Sequence, residues 1–177
     1  MGFGRRAALP VTVVVGILSL GATGVPERSG PGLRAPQEVD VVAVVVDPQS
    51  RQPLVVLQGK RDRRSLVLAI GQFEANGIAI PLQGLTPPRP LTHDLMLNVL
   101  SDLRASVRRI VITDLKEDVY YARLELDVQG GGELTVDSRP SDAIALALRA
   151  KAPILVEERV FDQAERQGVK PGATPPF

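Results

Sequence analysis

A group able to transfer protons stands beside a carboxylate in the middle of this sequence, where His93 is followed by Asp94. His93 is the only histidine of the 177-residue chain, and an imidazole can act as a general acid or base near neutral pH. Thr92 is predicted to cap a helix that starts here. Asp94 then falls in the first turn, where the helix dipole stabilises a negative charge. A hydrogen-bonded structural role is the alternative for His93.

A second polar segment, from Asp137 to Asp142, also leads into an apolar stretch. Pro140 fits the first turn of a helix at this point, because its missing N–H group is not needed there. Ser141 could contact a substrate or act as a nucleophile, but no nucleophile-elbow motif surrounds it, and a capping role explains it more simply. The sequence therefore predicts two helix starts that hold polar side chains.

Four acidic residues are candidate ligands of a divalent cation. Three of them, Glu74, Asp94 and Asp142, fall in the first turn of a predicted helix. The fourth, Asp137, lies just before the last of these helices. Carboxylates that face one cleft could bind Mg²⁺ or Mn²⁺, which polarises a phosphate and activates water. Each acid could instead only stabilise its helix, by about 0.3–1 kcal/mol. Glu74 and Asp94 are also, with His93, the candidate catalytic residues.

Arg89 and Arg139 stand close to these helix starts and are candidate phosphate contacts, because a guanidinium group can bind two phosphate oxygens at once. The alternative for both is an ion pair between loops. Two further groups of arginines could attract phosphates locally or lie on solvated surfaces. They are Arg61, Arg63 and Arg64, and Arg104, Arg108 and Arg109.

The composition excludes several classes of protein. The chain has no cysteine, which removes disulfides, thiol catalysis and cysteine metal sites, and its single histidine argues against a zinc site. Apolar residues make up 44% of the chain and charged residues 23%, as in a globular domain with a core. A formal net charge of +1 argues against a strongly basic nucleic-acid-binding protein.

The first 24 residues have the pattern of a secretory signal peptide. Arg5 and Arg6 precede an apolar run from Ala7 to Leu20, and small residues follow. Removing this segment with its two arginines shifts the formal net charge from +1 to −1. The sequence thus predicts export to the periplasm or the medium without a stable membrane span. An uncleaved N-terminal membrane anchor is the alternative.

Hydrophobic periodicity and turn residues predict three strands, two helices, three strands, a helix, a strand and a helix. Short connections between strands favour hairpins and hence an α+β fold with a mostly antiparallel sheet. Similar strand-to-helix junctions near Glu74 and Asp142 suggest an internal duplication. We expect a signal peptide at residues 1–24, a flexible linker at 25–38, the domain at 39–160, and a helical end and loose tail at 161–177.

Two elements carry expectations about burial. The strand from Val39 to Val46 consists mostly of valine and is predicted to be buried on both faces. The helix from Thr92 to Arg104 is predicted to pack through five apolar side chains. These are Leu95, Leu97, Val99, Leu100 and Leu103.

Three segments resemble the signature blocks of the bifunctional nuclease domain family. They are residues 69–75 (AIGQFEA), 88–95 (PRPLTHDL) and 137–147 (DSRPSDAIALA), in that order and with matching spacing. The sequence Tyr120-Tyr121-Ala122 also resembles the aromatic-aromatic-alanine strand of the family. The resemblance runs from Val39 to Val160. It implies nuclease activity on both DNA and RNA, with a divalent metal, Mg²⁺ or Mn²⁺, as cofactor.

Two functions are therefore expected for this chain. The first is a metal-dependent nuclease that cuts phosphodiester bonds and takes nucleic acid as its substrate. The second is a non-catalytic binding or interaction module on the same fold, and a homo-oligomer is left open for either. The nuclease interpretation requires the two polar helix starts to converge in space, which the sequence does not determine.

Overall fold

The computed structural model describes Met1 and residues 35–168 of the chain. Residues 2–24 of the predicted signal peptide, most of the predicted linker and residues 169–177 of the predicted tail lie outside these residues. The strands are β1 (Gln37–Val46), β2 (Pro53–Gly59), β3 (Ser65–Ala69), β4 (Ala105–Lys116), β5 (Val119–Val128), β6 (Gly132–Ser138) and β7 (Ile154–Val156). The helices are α1 (Gln72–Leu82), α2 (Thr92–Asp102), α3 (Pro140–Ala150) and α4 (Glu158–Gln167). Within this described part of the chain, no helix is both long and apolar enough to cross a membrane.

The strands form one sheet in the order β3-β2-β1-β7-β4-β5-β6. Neighbouring strands are antiparallel except for β4 and β7, which run parallel. The predicted α+β fold with a mostly antiparallel sheet is confirmed, and the elements follow the predicted order. The strands β1 to β3 form one antiparallel unit followed by α1, and β4 to β6 form a second, followed by α3. The order of elements is thus repeated, while duplication of the sequence itself stays a prediction.

Helix α3 is deeply buried and packs against α1, α2 and the sheet. Its residues from Ala143 to Ala147 are at most 2% exposed. Small alanine side chains let the helix approach the sheet closely, and Ile144 and Leu146 fill the remaining space. Burying each of these larger side chains contributes about 1.5–3 kcal/mol to stability. This packing fixes the start of α3, and with it Asp142, relative to the sheet.

Strand β1 is exposed on one face, so the prediction that it is buried on both faces is wrong. Val39 is 3% exposed, whereas Val42 and Val45 are 49% and 43% exposed. Helix α1 packs against β1, and an antiparallel sheet can leave its other face to solvent. The run of valines therefore reflects the preference of β-branched side chains for strands rather than burial.

The ends of α2 differ from the predicted ones. Leu91 is the N-cap residue and Thr92 is already helical, so the predicted capping role of Thr92 is wrong. The Asp94 carboxylate instead accepts a hydrogen bond from the Leu91 N–H group at 2.9 Å. The helix ends at Asp102 rather than at Arg104, because Arg104 has a left-handed φ of 56° that cannot continue an α-helix.

Helix α2 lies on the surface and has no fully buried residue. Leu97 and Leu100 pack against the core, as predicted. Leu95, Val99 and Leu103 are instead 58%, 48% and 67% exposed, so the prediction that they pack is wrong. The apolar residues of α2 are distributed around the helix, and the neighbouring α3 covers only some of them.

Candidate functional site

The two polar helix starts predicted from the sequence meet in the structure. His93 Nε2, at the start of α2, lies 3.4 Å from Asp142 Oδ1, at the start of α3. The side chains of His93 and Asp142 are 15% and 30% exposed, so the pair is only partly shielded from solvent. The separation is long for a hydrogen bond, and contacts of this kind in catalytic sites often shorten when substrate binds.

Arg139 connects this pair to the start of α1. Its Nε and Nη2 atoms donate to the two Asp142 oxygens at 2.7 and 3.1 Å. Its Nη1 atom donates to Glu74 Oε1 at 2.9 Å. The side chain of Arg139 is nevertheless 65% exposed, so the guanidinium group can still be reached by an anion from solvent. Four of the sequence-predicted residues, Glu74, His93, Arg139 and Asp142, therefore form one connected cluster.

The Asp142 carboxyl is ionised throughout the neutral range. Its hydrogen bond with His93 lowers its pKa most, burial opposes this, and Arg139 adds to the lowering, so the pKa falls to about 2. An ionised carboxylate can only accept hydrogen bonds, and His93 Nε2 therefore donates in this contact. Asp142 is thus suited to orient the imidazole and not to donate a proton itself.

Asp94 is held by a different partner, the nearly buried Arg149 of α3. Asp94 Oδ1 accepts from Arg149 Nε at 2.7 Å, and the Arg149 side chain is only 7% exposed. Arg149 Nη1 also donates to the backbone oxygens of Gly77 at 2.6 Å and Ala145 at 2.9 Å. Burial opposes ionisation of Asp94, but the Leu91 N–H group and Arg149 lower its pKa overall. The Asp94–Arg149 pair therefore connects α2 to α3 and, through the bond of Arg149 to the Gly77 oxygen, to α1, one residue away from His93.

Gly77 provides the space that the His93 ring occupies. A Cβ atom on residue 77 would lie 2.9 Å from His93 Cε1 and 3.3 Å from Nδ1. Real Cβ atoms essentially never show the first distance, and the second is tighter than most Cβ contacts. Glycine weakens a helix by about 1 kcal/mol relative to alanine, so its presence inside α1 is explained by the approach of His93.

The remaining sequence-predicted residues do not join the cluster. Arg89 and Asp137 are exposed, and their side chains make no hydrogen bond or ion pair with any residue that the structure describes. Ser141 is 7% exposed, and its hydroxyl likewise has no hydrogen-bond partner among residues 35–168. The N-cap of α3 is Arg139, without a side-chain capping bond, so the predicted capping role of Ser141 is wrong.

The family model of the bifunctional nuclease domain matches residues 55–168, which include every residue of the cluster. The chain belongs to the bifunctional nuclease domain family. This confirms the resemblance of the three sequence blocks, whose polar residues, distant in the sequence, lie together at the helix starts.

Relatives of the chain include bacterial and plant proteins. An uncharacterized protein of Mycobacterium tuberculosis is 43% identical over 127 residues, which are 72% of this chain and 75% of that protein. Bifunctional nuclease 1 of Oryza sativa subsp. indica is 32% identical over 137 residues, 75% of this chain and 41% of the rice protein. Bifunctional nuclease 1 of Arabidopsis thaliana is 28% identical over 110 residues, 60% of this chain and 34% of that protein. The match thus spans less than half of each plant protein.

The predicted set of four metal ligands does not assemble in this bifunctional nuclease domain. Within the described range there is no group of three or more histidine, aspartate or glutamate side chains that could hold a metal ion. Glu74 and Asp142 both bind Arg139, so a guanidinium group already occupies the space between these carboxylates. In this arrangement the Glu74 and Asp142 carboxylates are paired with an arginine, and the binding of a divalent cation stays a prediction.

Sequence reasoning did not identify Arg149 and Gly77 as parts of the site. The only sequence feature that pointed to Arg149 was its position as a basic residue in the last turn of a helix, where the dipole favours a positive charge. Gly77 had the signal of a glycine inside an otherwise helical segment, which often marks a close approach. Neither signal indicates which partner the residue contacts.

Proposed function

We propose that this chain is a nuclease that hydrolyses phosphodiester bonds in DNA and RNA. Membership in the bifunctional nuclease domain family supports nucleic acid as the substrate, as does the 32% identity to a rice protein named bifunctional nuclease 1. The observation that carries the proposal is the contact of His93 with Asp142 beside the exposed Arg139. A proton-transfer group, a carboxylate that orients it and a phosphate-binding cation then lie within one site.

Each residue of the cluster has a distinct role in this proposal. Arg139 binds a phosphate oxygen, since its planar guanidinium can hold an anion through more than one N–H group. His93 transfers a proton to or from the reacting oxygen or water. Asp142 orients the imidazole and stabilises its charged form, and Glu74 holds Arg139 from the other side.

Attraction of nucleic acid to this site is local. The arginine groups considered in the sequence are largely engaged in ion pairs: Arg61 and Arg64 both bind Glu158. Arg108 and Arg109 both bind Glu125. With a formal net charge of +1 for the whole chain, general electrostatic capture of a polyanion is weak. Binding therefore depends on a few contacts such as Arg139.

The predicted Mg²⁺ or Mn²⁺ cofactor stays a separate proposal. The family resemblance motivates it, while the ion pairs of Arg139 with Glu74 and Asp142 oppose it. A cation could bind these two carboxylates only after Arg139 has left them. The roles of Asp94 and Asp137 as metal ligands stay predictions as well. In the structure, Asp94 is bonded to Arg149, and Asp137 lies apart from the other acids on β6.

Cleavage of single-stranded DNA and RNA by purified variants tests the nuclease proposal. His93→Ala should slow cleavage by roughly 10²–10⁴-fold if the imidazole transfers a proton. Asn98→Ala, at an exposed position of the same helix, is the matched control and should cleave like the parent. Changing His93 and Arg139 together, with identical purification, detects contamination. Cleavage by this double variant at the parental rate would favour the non-catalytic binding module instead.

Export is likewise proposed from the sequence alone, since residues 2–34 lie outside the described part. Mass spectrometry of protein from the native host should find a mature chain that starts near Val25. An intact Met1 in a cytosolic fraction would contradict export. An intact N-terminus in the membrane fraction would favour the anchor.

A further inference from the structure

A cleft of about 270 Å³ lies next to the candidate site. One side is lined by residues 68–71, at the end of β3, and the other by Val119 and Tyr120 of β5. In the sheet, β3 and β5 are separated by β2, β1, β7 and β4. Residues from the end of β3 and from β5 nevertheless line the same cleft. The volume is close to the lower bound of small-ligand pockets, roughly 300 Å³.

The lining combines an apolar floor with a charged rim. Leu68 and Ile70 are 2% and 8% exposed and contribute to the floor. Glu74, Asp118 and Arg139 contribute charges to the lining. The two carboxylates oppose entry of a phosphate but can accept hydrogen bonds from the amino groups of a nucleobase. Arg139 also belongs to the candidate site, so a phosphate attached to that base can be bound there.

Tyr120 gives the cleft a neutral aromatic ring. Burial, with a smaller contribution from Asp118, raises the pKa of the Tyr120 hydroxyl to about 12, so the ring carries no charge. That hydroxyl is buried and has no hydrogen-bond partner among the described residues. An uncharged aromatic side chain next to apolar floor residues is suited to contact the flat face of a base.

A second aromatic residue is adjacent in sequence to the residues that line the cleft, and its side chain is almost fully exposed. Phe73, in the first turn of α1, is 88% exposed. It lies in the sequence between Gly71 and Glu74, which both line the cleft. Proteins that bind single-stranded nucleic acid combine exposed aromatic side chains, on which bases stack, with positively charged groups that hold the backbone. Phe73 is therefore a candidate stacking residue, with Arg139 as the proposed phosphate contact.

We propose that this cleft binds an unpaired nucleobase of single-stranded DNA or RNA, and that Phe73 stacks on the neighbouring base. The inference rests on the proposed nuclease function and adds the form of its substrate. A base inside a duplex must first leave the stack, which costs free energy, so single strands are favoured. Because every base has a flat π-face, stacking discriminates weakly between sequences and suits both nucleic acids.

Calorimetric titration with adenosine 5′-monophosphate tests the cleft without cleavage, since this nucleotide contains no phosphodiester bond between nucleosides. Ribose 5-phosphate, which has the phosphate and lacks the base, should bind about 10-fold more weakly or worse. Ala69→Leu, which fills the cleft from β3, should weaken nucleotide binding by at least about 10-fold. Val67→Leu is the control. It enlarges a partly buried side chain of the same strand that does not line the cleft, and it should leave nucleotide binding unchanged.

Fluorescence anisotropy with a labelled oligothymidylate and a labelled duplex tests Phe73. The parent should prefer the single strand, and Phe73→Ala should weaken single-strand binding by about 5- to 100-fold. Phe73→Tyr should retain it. Leu85→Ala is the matched control, because Leu85 is also an exposed apolar residue, at 58%, and does not line the cleft.

The two proposals fail in different ways. Equal binding of the nucleotide and ribose 5-phosphate, or equal affinity for single strand and duplex, overturns the base site and leaves a nuclease without it. Nucleotide binding that Ala69→Leu removes, in a protein that cleaves nothing, supports the base site and overturns the nuclease function.

Discussion

The imidazole of His93 lies directly over Gly77, with so little space that a Cβ on residue 77 would come within 2.9 Å of His93 Cε1. The ring is thus held between the α1 backbone on one side and Asp142 on the other. Its position depends on the absence of a side chain on a neighbouring helix. A substitution of Gly77 therefore acts on His93 without changing any polar group.

Gly77→Ala should displace His93 and lower kcat/KM by roughly 10-fold or more, because small shifts of a catalytic group reduce rates strongly. The free energy of unfolding should change little, since alanine favours the helix by about 1 kcal/mol and so offsets the steric cost. Asn76→Ala, at an exposed position of the same helix, is the control and should retain activity. Parental activity in Gly77→Ala would contradict the dependence of cleavage on this position of the His93 ring.

Asp142 should make the stability of the fold depend on pH in acid. Its folded-state pKa of about 2 lies below its usual value of 3.8. The contribution is therefore fully present above about pH 4 and is lost as the pH falls towards 2. Asp142→Asn should cost about 1–2 kcal/mol at pH 7, after allowance for partial exposure, and less at pH 3. Denaturant unfolding of both proteins across this range measures the difference, and a constant difference would contradict it.

Asp94→Asn should destabilise the fold because Arg149, 7% exposed, then loses its carboxylate partner. The expected cost is about 1–3 kcal/mol, reduced from that of a fully buried pair because Asp94 is 31% exposed. Asp102→Asn, an exposed acid in the last turn of the same helix, should cost far less. A stable Asp94→Asn protein with lost activity would instead assign Asp94 to the chemistry.

Chelation tests the proposed divalent cation. EDTA should stop cleavage and added Mg²⁺ or Mn²⁺ should restore it, if the family resemblance extends to the cofactor. Arg139→Ala releases Glu74 and Asp142 from their shared guanidinium, so titration calorimetry should find tighter Mn²⁺ binding than in the parent. Cleavage that persists in EDTA would mean that Arg139 and His93 act without a metal.

The strand and helix order could be read from the sequence because local patterns determine it. Turn residues, a proline at the first position of α3 and alternating apolar residues act over a few neighbours, and the structure has every predicted element. Burial was less predictable, since the valine run of β1 shows strand preference and not what covers the strand. The exposed face of α2 was not predicted either, because the apolar residues of a helix do not show which of them a neighbouring element covers.

The sequence by itself determined which residue types could do chemistry and that they stand at helix starts. Three sequence blocks also sufficed to indicate the family, because their spacing is specific in combination. Only the tertiary structure decided that His93 meets Asp142, that Arg139 lies between Asp142 and Glu74, and that Asp94 belongs to Arg149. The Arg139–Asp142 pair is local to the start of α3. The other contacts join side chains from different helices, and the packing of α3 against α1, α2 and the sheet sets the distances between them.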